Sequence, residues 1–210
     1  MSRGKIPEAT IRRLPAYLRA LEGVVDQRLT SRELGHLTGF SSEQVRKDLA
    51  YFGAFGTRGV GYTAPELESE IRHILGLDRG LTAVLVGAGN LGIALSRYTA
   101  VAHKHVTIGA IFDTDPLKIG TLVAGLAVQP LTGLETEIAR LEVAIGIIAV
   151  PVAAAQAVAN RLMAAGVHGL LNFAPTTLHA QAGVTVQNID LTLEMEALAY
   201  FVRAEATAGL

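Results

Sequence analysis

The stretch that most constrains this chain covers residues 83–92, where a short apolar strand enters a glycine-rich turn. Its sequence, AVLVGAGNLG, follows the pattern G-x-G-x-x-G, and apolar residues at helical spacing come next. The first glycine makes the turn, the second lets a pyrophosphate approach the backbone, and the third lets the helix pack on the strand. The N-terminus of the helix then faces the negative charge. The stretch therefore predicts a dinucleotide-binding turn formed by Gly87, Ala88, Gly89, Asn90, Leu91 and Gly92.

An acidic residue ends the next apolar strand, twenty-one residues after Gly92. A carboxylate at this distance hydrogen-bonds the adenosine ribose of a dinucleotide, so we assign that role to Asp113. A carboxylate also repels a 2′-phosphate, and the expected cofactors are therefore NADH and NAD⁺. Two alternatives stay open: Asp115 takes this role instead, or Asp113 only caps the turn into Asp115 and Pro116.

Strand and helix patterns alternate from Gly80 onward, which indicates an α/β fold with a Rossmann-like, doubly wound parallel sheet. The expected strands cover residues 83–86, 106–112, 143–149, 167–171 and 184–186, with one or two weak strands in 121–129, and the expected helices cover 90–101, 134–140 and 152–165. We expect three parts. They are a winged-helix DNA-binding domain over 1–79, a Rossmann NAD(H)-binding domain over 80–190, and a C-terminal helix over 191–210.

The N-terminal part contains two short helical patterns joined by a tight turn at residues 39–41. Thr30 or Ser31 is expected to cap the first of these helices, and Ser41, with Gln44 in a capping box, the second. This order predicts a helix-turn-helix, preceded by a helix over 7–22 that Pro15 kinks or divides in two. The polar and basic face of the second helix suits the major groove of DNA. It carries Ser42, Gln44, Arg46, Lys47 and Tyr51. A small helical cap with a solvated face is the alternative.

Residues 53–62 alternate glycines with aromatic and β-branched residues around a single arginine. This pattern predicts a hairpin wing that presents Arg58, with Gly59 beside it, to an adjacent minor groove. An ordinary glycine-rich hairpin is the alternative. Residues 1–61 carry ten Lys and Arg against six Asp and Glu, whereas residues 81–210 carry six against nine. This asymmetry favours contact of the N-terminal part with phosphate.

Ligands of an open parallel sheet bind beyond the carboxyl ends of its strands. Apolar residues that suit a nicotinamide ring lie beyond two of the expected strands: Val150, Pro151, Phe173, Ala174 and Pro175. A hydride-transferring enzyme also needs a group that exchanges a proton with the substrate. These strand ends offer none, and we expect His179, near the rim, to be a surface-loop residue. The sequence therefore predicts binding without turnover and no catalytic residue.

The sequence contains no cysteine, which excludes disulfides and thiolate metal sites, and we expect no bound metal. The longest apolar run, residues 143–155, is interrupted by Pro151 and is too short to span a bilayer. The first residues lack the apolar core of a signal peptide, so we expect a cytoplasmic protein. The last helix carries an apolar stripe, at Leu191, Met195, Leu198 and Val202, which its own sheet or a partner subunit would have to cover.

Several of these segments together resemble the Rex family of redox-sensing transcriptional repressors. The resemblance rests on SEQVRKDL at 42–49, FGTRGVGY at 55–62, GAGNLG at 87–92, LLNFAP at 170–175 and NID at 188–190. It covers nearly the whole chain, and the first two segments are far more specific than the glycine pattern. Membership would imply a homodimer that binds double-stranded operator DNA and releases it when NADH occupies the Rossmann sites.

The resemblance also implies roles for single residues. Arg46, Lys47 and Arg58 would contact DNA. Tyr98 and Asp190 would couple the cofactor to the domain arrangement, with Arg19 as the alternate partner of Asp190. The family exchanges its C-terminal helix between subunits, but Leu191 stands here where an aromatic residue is common.

Two other functions remain possible from the residues alone. One is a small NAD-dependent oxidoreductase with a helical N-terminal cap, which consumption of NADH with aldehydes or 2-keto acids would reveal. The other is a coenzyme A-binding module, since such modules use a similar glycine turn. Asp113 argues against the second.

Overall fold

A computed structural model describes residues 6–24, 28–52, 61–102 and 105–208. The chain divides into two compact units, Met1–Arg79 and Gly80–Leu210. Arg58, Gly59 and most of the expected wing lie outside the described residues. Their contact with DNA therefore stays a prediction.

The described part of the first unit is mainly helical. Its elements are α1 (Glu8–Leu21), β1 (Arg28–Leu29), α2 (Ser31–Thr38), α3 (Ser42–Ala50), β2 (Tyr62–Thr63) and α4 (Ala64–Ile74). Helix α1 runs without a break through Pro15, so the division into two helices is wrong. The reason is packing, because Leu14, Tyr17 and Leu21, on either side of the proline, are fully buried in one apolar core.

Helices α2 and α3 form the expected helix-turn-helix. Thr30 caps α2 in a complete capping box with Glu33, and Gly39 ends that helix in the left-handed conformation at φ 76°. Ser41 caps α3 by accepting from the backbone N–H of Gln44. Gln44 does not complete the predicted capping box there, because its side chain donates to Asp48 at 2.9 Å. The turn is tight enough that a Cβ on Gly35 would lie 2.5 Å from the Phe40 carbonyl oxygen.

The second unit is built on one sheet of seven strands. Its elements are β3 (Leu81–Val86), α5 (Asn90–Ala102), β4 (Val106–Asp113), β5 (Leu122–Val123), β6 (Leu126–Pro130), α6 (Leu134–Leu141), β7 (Ile145–Ile148), α7 (Val152–Ala164), β8 (Gly169–Asn172), β9 (Thr185–Asn188) and α8 (Leu191–Ala208). The strand order is β5-β6-β4-β3-β7-β8-β9, and all neighbours are parallel except β5 and β6. This order, which reverses between β3 and β7, is that of a dinucleotide-binding sheet and confirms the predicted fold class.

Apolar side chains cover both faces of this sheet. Val84 and Val86 face a core that includes Leu134 of α6 and Leu162 of α7. Their neighbours along β3 belong to a second core, against which α5 packs. This alternation follows from the two-residue period of a strand, and it places the carboxyl end of β3 between two covered faces.

Helix α8 differs from the other helices of the second unit. Its predicted apolar stripe of Leu191, Met195, Leu198 and Val202 is 58 to 63% exposed. The sheet of the same chain therefore leaves this stripe uncovered. Among the helices that the structure describes, none is both long enough and apolar enough to cross a membrane.

Candidate functional site

The glycine turn between β3 and α5 lies where the strand order reverses. Gly87 adopts φ 106°, and a Cβ there would lie 2.3 Å from the Ala149 carbonyl oxygen. A Cβ on Gly92 would lie 1.9 Å from the Gly87 carbonyl oxygen. The first and third glycines are thus required by the fold itself, through a left-handed turn and a close helix–strand approach.

Gly89 is different, because a Cβ built on it would meet no atom within 4 Å. Its missing side chain therefore leaves open space beside the turn. The helix that follows starts at Asn90 and has 13 residues, and the first N–H groups of a helix have no intrahelical partner. This arrangement fits a pyrophosphate against the backbone of Gly89 and the N-terminus of α5.

Asp113 ends β4 and is tied to this turn. Its Oδ2 accepts a hydrogen bond from the backbone N–H of Ala88 at 2.8 Å and from Lys118 Nζ at 3.2 Å, and its Oδ1 accepts from the N–H of Asp115 at 2.9 Å. Burial alone would raise the pKa of the Asp113 carboxyl, but these hydrogen bonds outweigh it and hold the pKa below its ordinary value. Asp113 thus caps the next turn and also remains ionised beside the expected ribose position.

Lys118 was not singled out from the sequence. It lies in the turn after β4 and pairs with Asp113, with the carboxylate of Asp115 3.8 Å away. A lysine five residues after a ribose-binding acid carries no recognisable pattern. Only the folded turn brings the two side chains together.

The apolar residues beyond β7 and β8 are not equally available to a ligand. Val150 and Phe173 are half-buried, and Pro151 and Pro175 are exposed. Ala174 is 4% exposed and belongs to the core, so its side chain does not contribute to a nicotinamide wall.

Asn172 organises this edge and was given no role from the sequence. It is fully buried, and its amide donates to the Ala174 and Thr176 carbonyls and to Asn188 Oδ1 at 2.9 Å. Its own Oδ1 accepts from the N–H of Ala174 at 3.0 Å. A polar residue at the end of an apolar strand is the signal that could have identified it.

The predicted DNA-binding residues on α3 divide into two groups. Arg46, Lys47 and Tyr51 are exposed, and within the described ranges no carboxylate pairs with either cation. Ser42 and Gln44 are half-buried near the start of the helix. The exposed group presents two cations and a phenol on one side of a helix, which suits contact with the phosphates and base edges of a major groove.

Asp48, which follows Lys47, faces inward. It is fully buried and accepts from Arg13 at 2.6 and 2.7 Å and from Tyr17 at 2.8 Å. Gln44 and Thr10 also donate to its Oδ1, at 2.9 and 3.0 Å. Burial alone would raise the pKa of the Asp48 carboxyl, but the hydrogen bonds, led by the one from Arg13, lower it to about 2. This ionised cluster joins α3 to α1.

The three residues predicted to couple the parts of the protein occupy different elements. Tyr98 lies on α5 and is 56% exposed. Asp190 precedes α8 and accepts from the N–H of Thr192 at 2.9 Å, as an N-cap does. Arg19 is exposed on α1, beside an open cleft with Arg12 and Leu37. Their coupling stays a prediction.

The described residues include no cluster of three or more potential metal ligands. His179 is exposed, and its backbone pairs with the Gln156 side chain through its N–H and its carbonyl.

Two family models match parts of the chain. One, described as a CoA binding domain, matches residues 78–176, and another, described as a putative DNA-binding protein N-terminus, matches residues 5–50. These matches agree with a nucleotide-binding sheet that follows a DNA-binding helical unit.

Longer similarities cover almost the whole chain. The redox-sensing transcriptional repressor Rex of Carboxydothermus hydrogenoformans is 48% identical over 204 residues, which are 96% of this chain and 98% of that protein. A crystal structure of RSP in complex with β-NAD⁺ and operator DNA superposes with a TM-score of 0.88 at 36% identity, covering 97% of this chain and 95% of the other. RSP in complex with β-NADH superposes with a TM-score of 0.85 at 34% identity, covering 98% of each chain. From this similarity and the two sites described above, the chain belongs to the Rex family of redox-sensing transcriptional repressors.

Proposed function

We propose that this protein is a homodimeric repressor that binds operator DNA and releases it when NADH occupies its Rossmann sites. One observation carries the proposal: a single chain combines an exposed basic face on α3, the second helix of its helix-turn-helix, with a glycine turn that leaves room for a pyrophosphate. RSP, a similar protein, has been crystallised with β-NAD⁺ and operator DNA and with β-NADH. As a member of a repressor family, the protein is a regulator and not an enzyme. It acts in the cytoplasm, where operator DNA and the NADH pool meet.

The response to redox state must come from the nicotinamide ring. NADH and NAD⁺ share the adenosine and pyrophosphate, so contacts at Asp113 and at the glycine turn give affinity without discrimination. The reduced ring is neutral and the oxidised ring is cationic, and the apolar side chains of Val150 and Phe173 favour the neutral ring. A ligand shifts a conformational equilibrium only by its differential affinity for the two states.

Helix α8 is the element we assign to the dimer. Its exposed apolar stripe fits a second copy of this chain, in the exchange that is characteristic of the family. Asp190, Tyr98 and Arg19 would then transmit cofactor binding to the DNA-binding units. Closure of the dimer would move the two recognition helices away from the one-turn spacing of a palindromic operator.

Contacts to DNA are assigned to α3 and to the wing. Arg46, Lys47 and Tyr51 would meet the major groove, with Ser42 and Gln44 at the start of the helix. Arg58 and Gly59 would meet the adjacent minor groove, whose negative potential attracts arginine.

The test is operator affinity with and without NADH at one salt concentration. The operator is first selected by the protein from random duplex DNA in the presence of NAD⁺. We expect NADH to weaken binding at least tenfold and NAD⁺ to leave it nearly unchanged, and tenfold corresponds to about 1.4 kcal/mol. Equal affinities would contradict the proposal.

Because the family model over residues 78–176 is described as a CoA binding domain, competition between coenzyme A and NADH should also be measured. Coenzyme A carries a 3′-phosphate on its adenosine ribose, and the ionised Asp113 carboxylate would repel it. We therefore expect coenzyme A not to compete with NADH. Competition at comparable concentrations would favour a coenzyme A module instead.

A further inference from the structure

Lys118 is held in place by its own backbone. Its N–H donates to the Asp115 carbonyl at 3.0 Å, and its carbonyl accepts from the Thr121 N–H at 3.0 Å and from the Thr121 hydroxyl at 2.6 Å. The turn after β4 is thus bonded on both sides of this lysine. Its side chain starts from a position that the fold determines.

The ammonium group of Lys118 lies between two carboxylates. Its Nζ is 3.2 Å from Asp113 Oδ2 and 3.8 Å from Asp115 Oδ2, and 39% of its side chain is exposed. Asp115 is itself bound to the turn, because its Oδ1 accepts from the N–H of Leu117 at 3.0 Å. The three side chains form a charged triad of two anions and one cation.

This triad has the chemistry that distinguishes a free ribose from a phosphorylated one. A ribose diol can donate to the unused lone pair of Asp113 Oδ1 and accept from an unused N–H of Lys118. A 2′-phosphate adds nearly two negative charges, and the triad has a net charge of −1. The phosphate is therefore repelled, and Lys118 is the group that limits the repulsion.

We propose that Lys118 sets how strongly this site discriminates between NADH and NADPH, by acting as the cation of the Asp113–Asp115 pair. This inference rests on the proposed NADH site and adds a residue to it. Selectivity then follows the charge of the triad, which single substitutions change in either direction. Lys118→Met makes the charge −2, and Asp113→Asn or Asp115→Asn makes it 0.

The experiment measures dissociation constants for NADH and NADPH with each variant of the full-length protein. The chain has no tryptophan, so the emission of the reduced nicotinamide is followed without a tryptophan background. We expect the ratio of the NADPH constant to the NADH constant to rise about fivefold in Lys118→Met and to fall about fivefold in Asp115→Asn. High salt should bring the ratios of the variants closer to one another, because exposed charges are screened.

Two further variants serve as controls. Lys118→Arg keeps the charge and should keep the ratio of the unaltered protein. Arg140→Gln removes an exposed cation that pairs with Glu137 on α6, and it should leave the ratio unchanged, which separates local charge from net charge.

The outcomes separate this inference from the proposed function. If the unaltered protein prefers NADH and Lys118→Met changes the ratio less than twofold, the role of Lys118 is overturned and the NADH site stands. A lower ratio in Lys118→Met also overturns it. If the unaltered protein binds neither nucleotide, both the inference and the proposed function fail.

Discussion

Asp48 is the residue that fixes the orientation of α3 against α1. Its carboxylate is fully buried, and it is bonded to the Arg13 guanidinium and the Tyr17 hydroxyl of α1. A buried charge is tolerated only when it is paired and hydrogen-bonded, as it is here. Arg46 and Lys47, the two residues before it, point outward on the same helix. Asp48 is therefore a positioning residue for the face of α3 that is proposed to contact DNA.

Removing the Asp48 carboxylate should destabilise the first unit strongly. Asp48→Ala leaves Arg13 and Tyr17 without their partner, and breaking a buried pair in this way costs about 3–5 kcal/mol. Urea unfolding followed by tyrosine fluorescence measures the free energy of unfolding. Glu8→Ala, which breaks the exposed pair with Arg12, is the matched control and should change it by less than about 1 kcal/mol. Equal effects of the two substitutions would contradict the role of Asp48.

The same carboxylate predicts a pH dependence of stability. Its pKa is about 2 in the folded protein and 3.8 as an ordinary aspartate. Because the folded value is lower, its contribution is fully present above about pH 5 and is lost progressively as the pH falls through 3.8 toward about 2. Asp48→Asn should lack this part of the acid sensitivity, although it is less stable at neutral pH. Melting temperatures measured from pH 5 to pH 2 test this, and parallel curves for the two proteins would refute it.

At the scale of elements, the residues at the helix ends determine where α2 and α3 begin and where α2 ends. Thr30 and Ser41 cap α2 and α3, and Gly39 ends α2 in the left-handed conformation. These signals lie within a few residues of the helix ends that they determine. Helix α3 is therefore defined locally, and its exposed face follows from its buried Val45 and Leu49.

This exposed face predicts how operator binding depends on salt. If Lys47 contacts a phosphate, Lys47→Ala should weaken binding to all sequences about equally and lower the slope of log affinity against log salt by about one. Titrations at several salt concentrations measure the slope. Arg140→Ala, which removes a cation from α6, is the control and should leave the slope unchanged. An unchanged slope in Lys47→Ala would mean that Lys47 contacts a base edge, or no part of the DNA, instead of a phosphate.

At the scale of the whole molecule, α8 is the element whose apolar side chains a single chain leaves exposed. Leu198 is 60% exposed and Phe201 is 62% exposed. Contiguous apolar surface of this kind marks an interaction site. The proposed second copy would bury it, and a helix that reached into a partner would make the response to NADH a property of the dimer.

A charge in the middle of this stripe should therefore separate the subunits. We expect Leu198→Glu to be monomeric at micromolar concentration and to lose the release of operator DNA by NADH. Leu122→Glu, at an exposed leucine of β5, is the control and should stay dimeric. Light scattering measures the mass. A dimeric Leu198→Glu that still responds to NADH would contradict the proposed role of α8.

The sequence by itself determined the local features of this protein. The glycine turn, the strand that precedes it, the end of β4 at Asp113 and the helix caps at Thr30 and Ser41 all depend on residues close together in the chain. Their places in the fold are confirmed. The capping box at Ser41 is not formed, and the ligand contacts of the turn and of Asp113 stay predictions. Periodicity predicted the parallel sheet in the same way, because a strand or helix buries one side at a fixed repeat.

Only the tertiary structure decided which distant residues share a site. Asp48 meets Arg13 across 35 positions, and Asn172 meets Asn188 across 16. Lys118 joins Asp113 only because the turn after β4 folds back. Neither spacing nor residue type encodes these contacts, since the first two depend on how whole elements pack and the third on the conformation of one turn. The continuity of α1 through Pro15 likewise depends on packing, because buried residues on both sides of the proline belong to one core and offset the missing hydrogen bond and the steric cost of the proline ring.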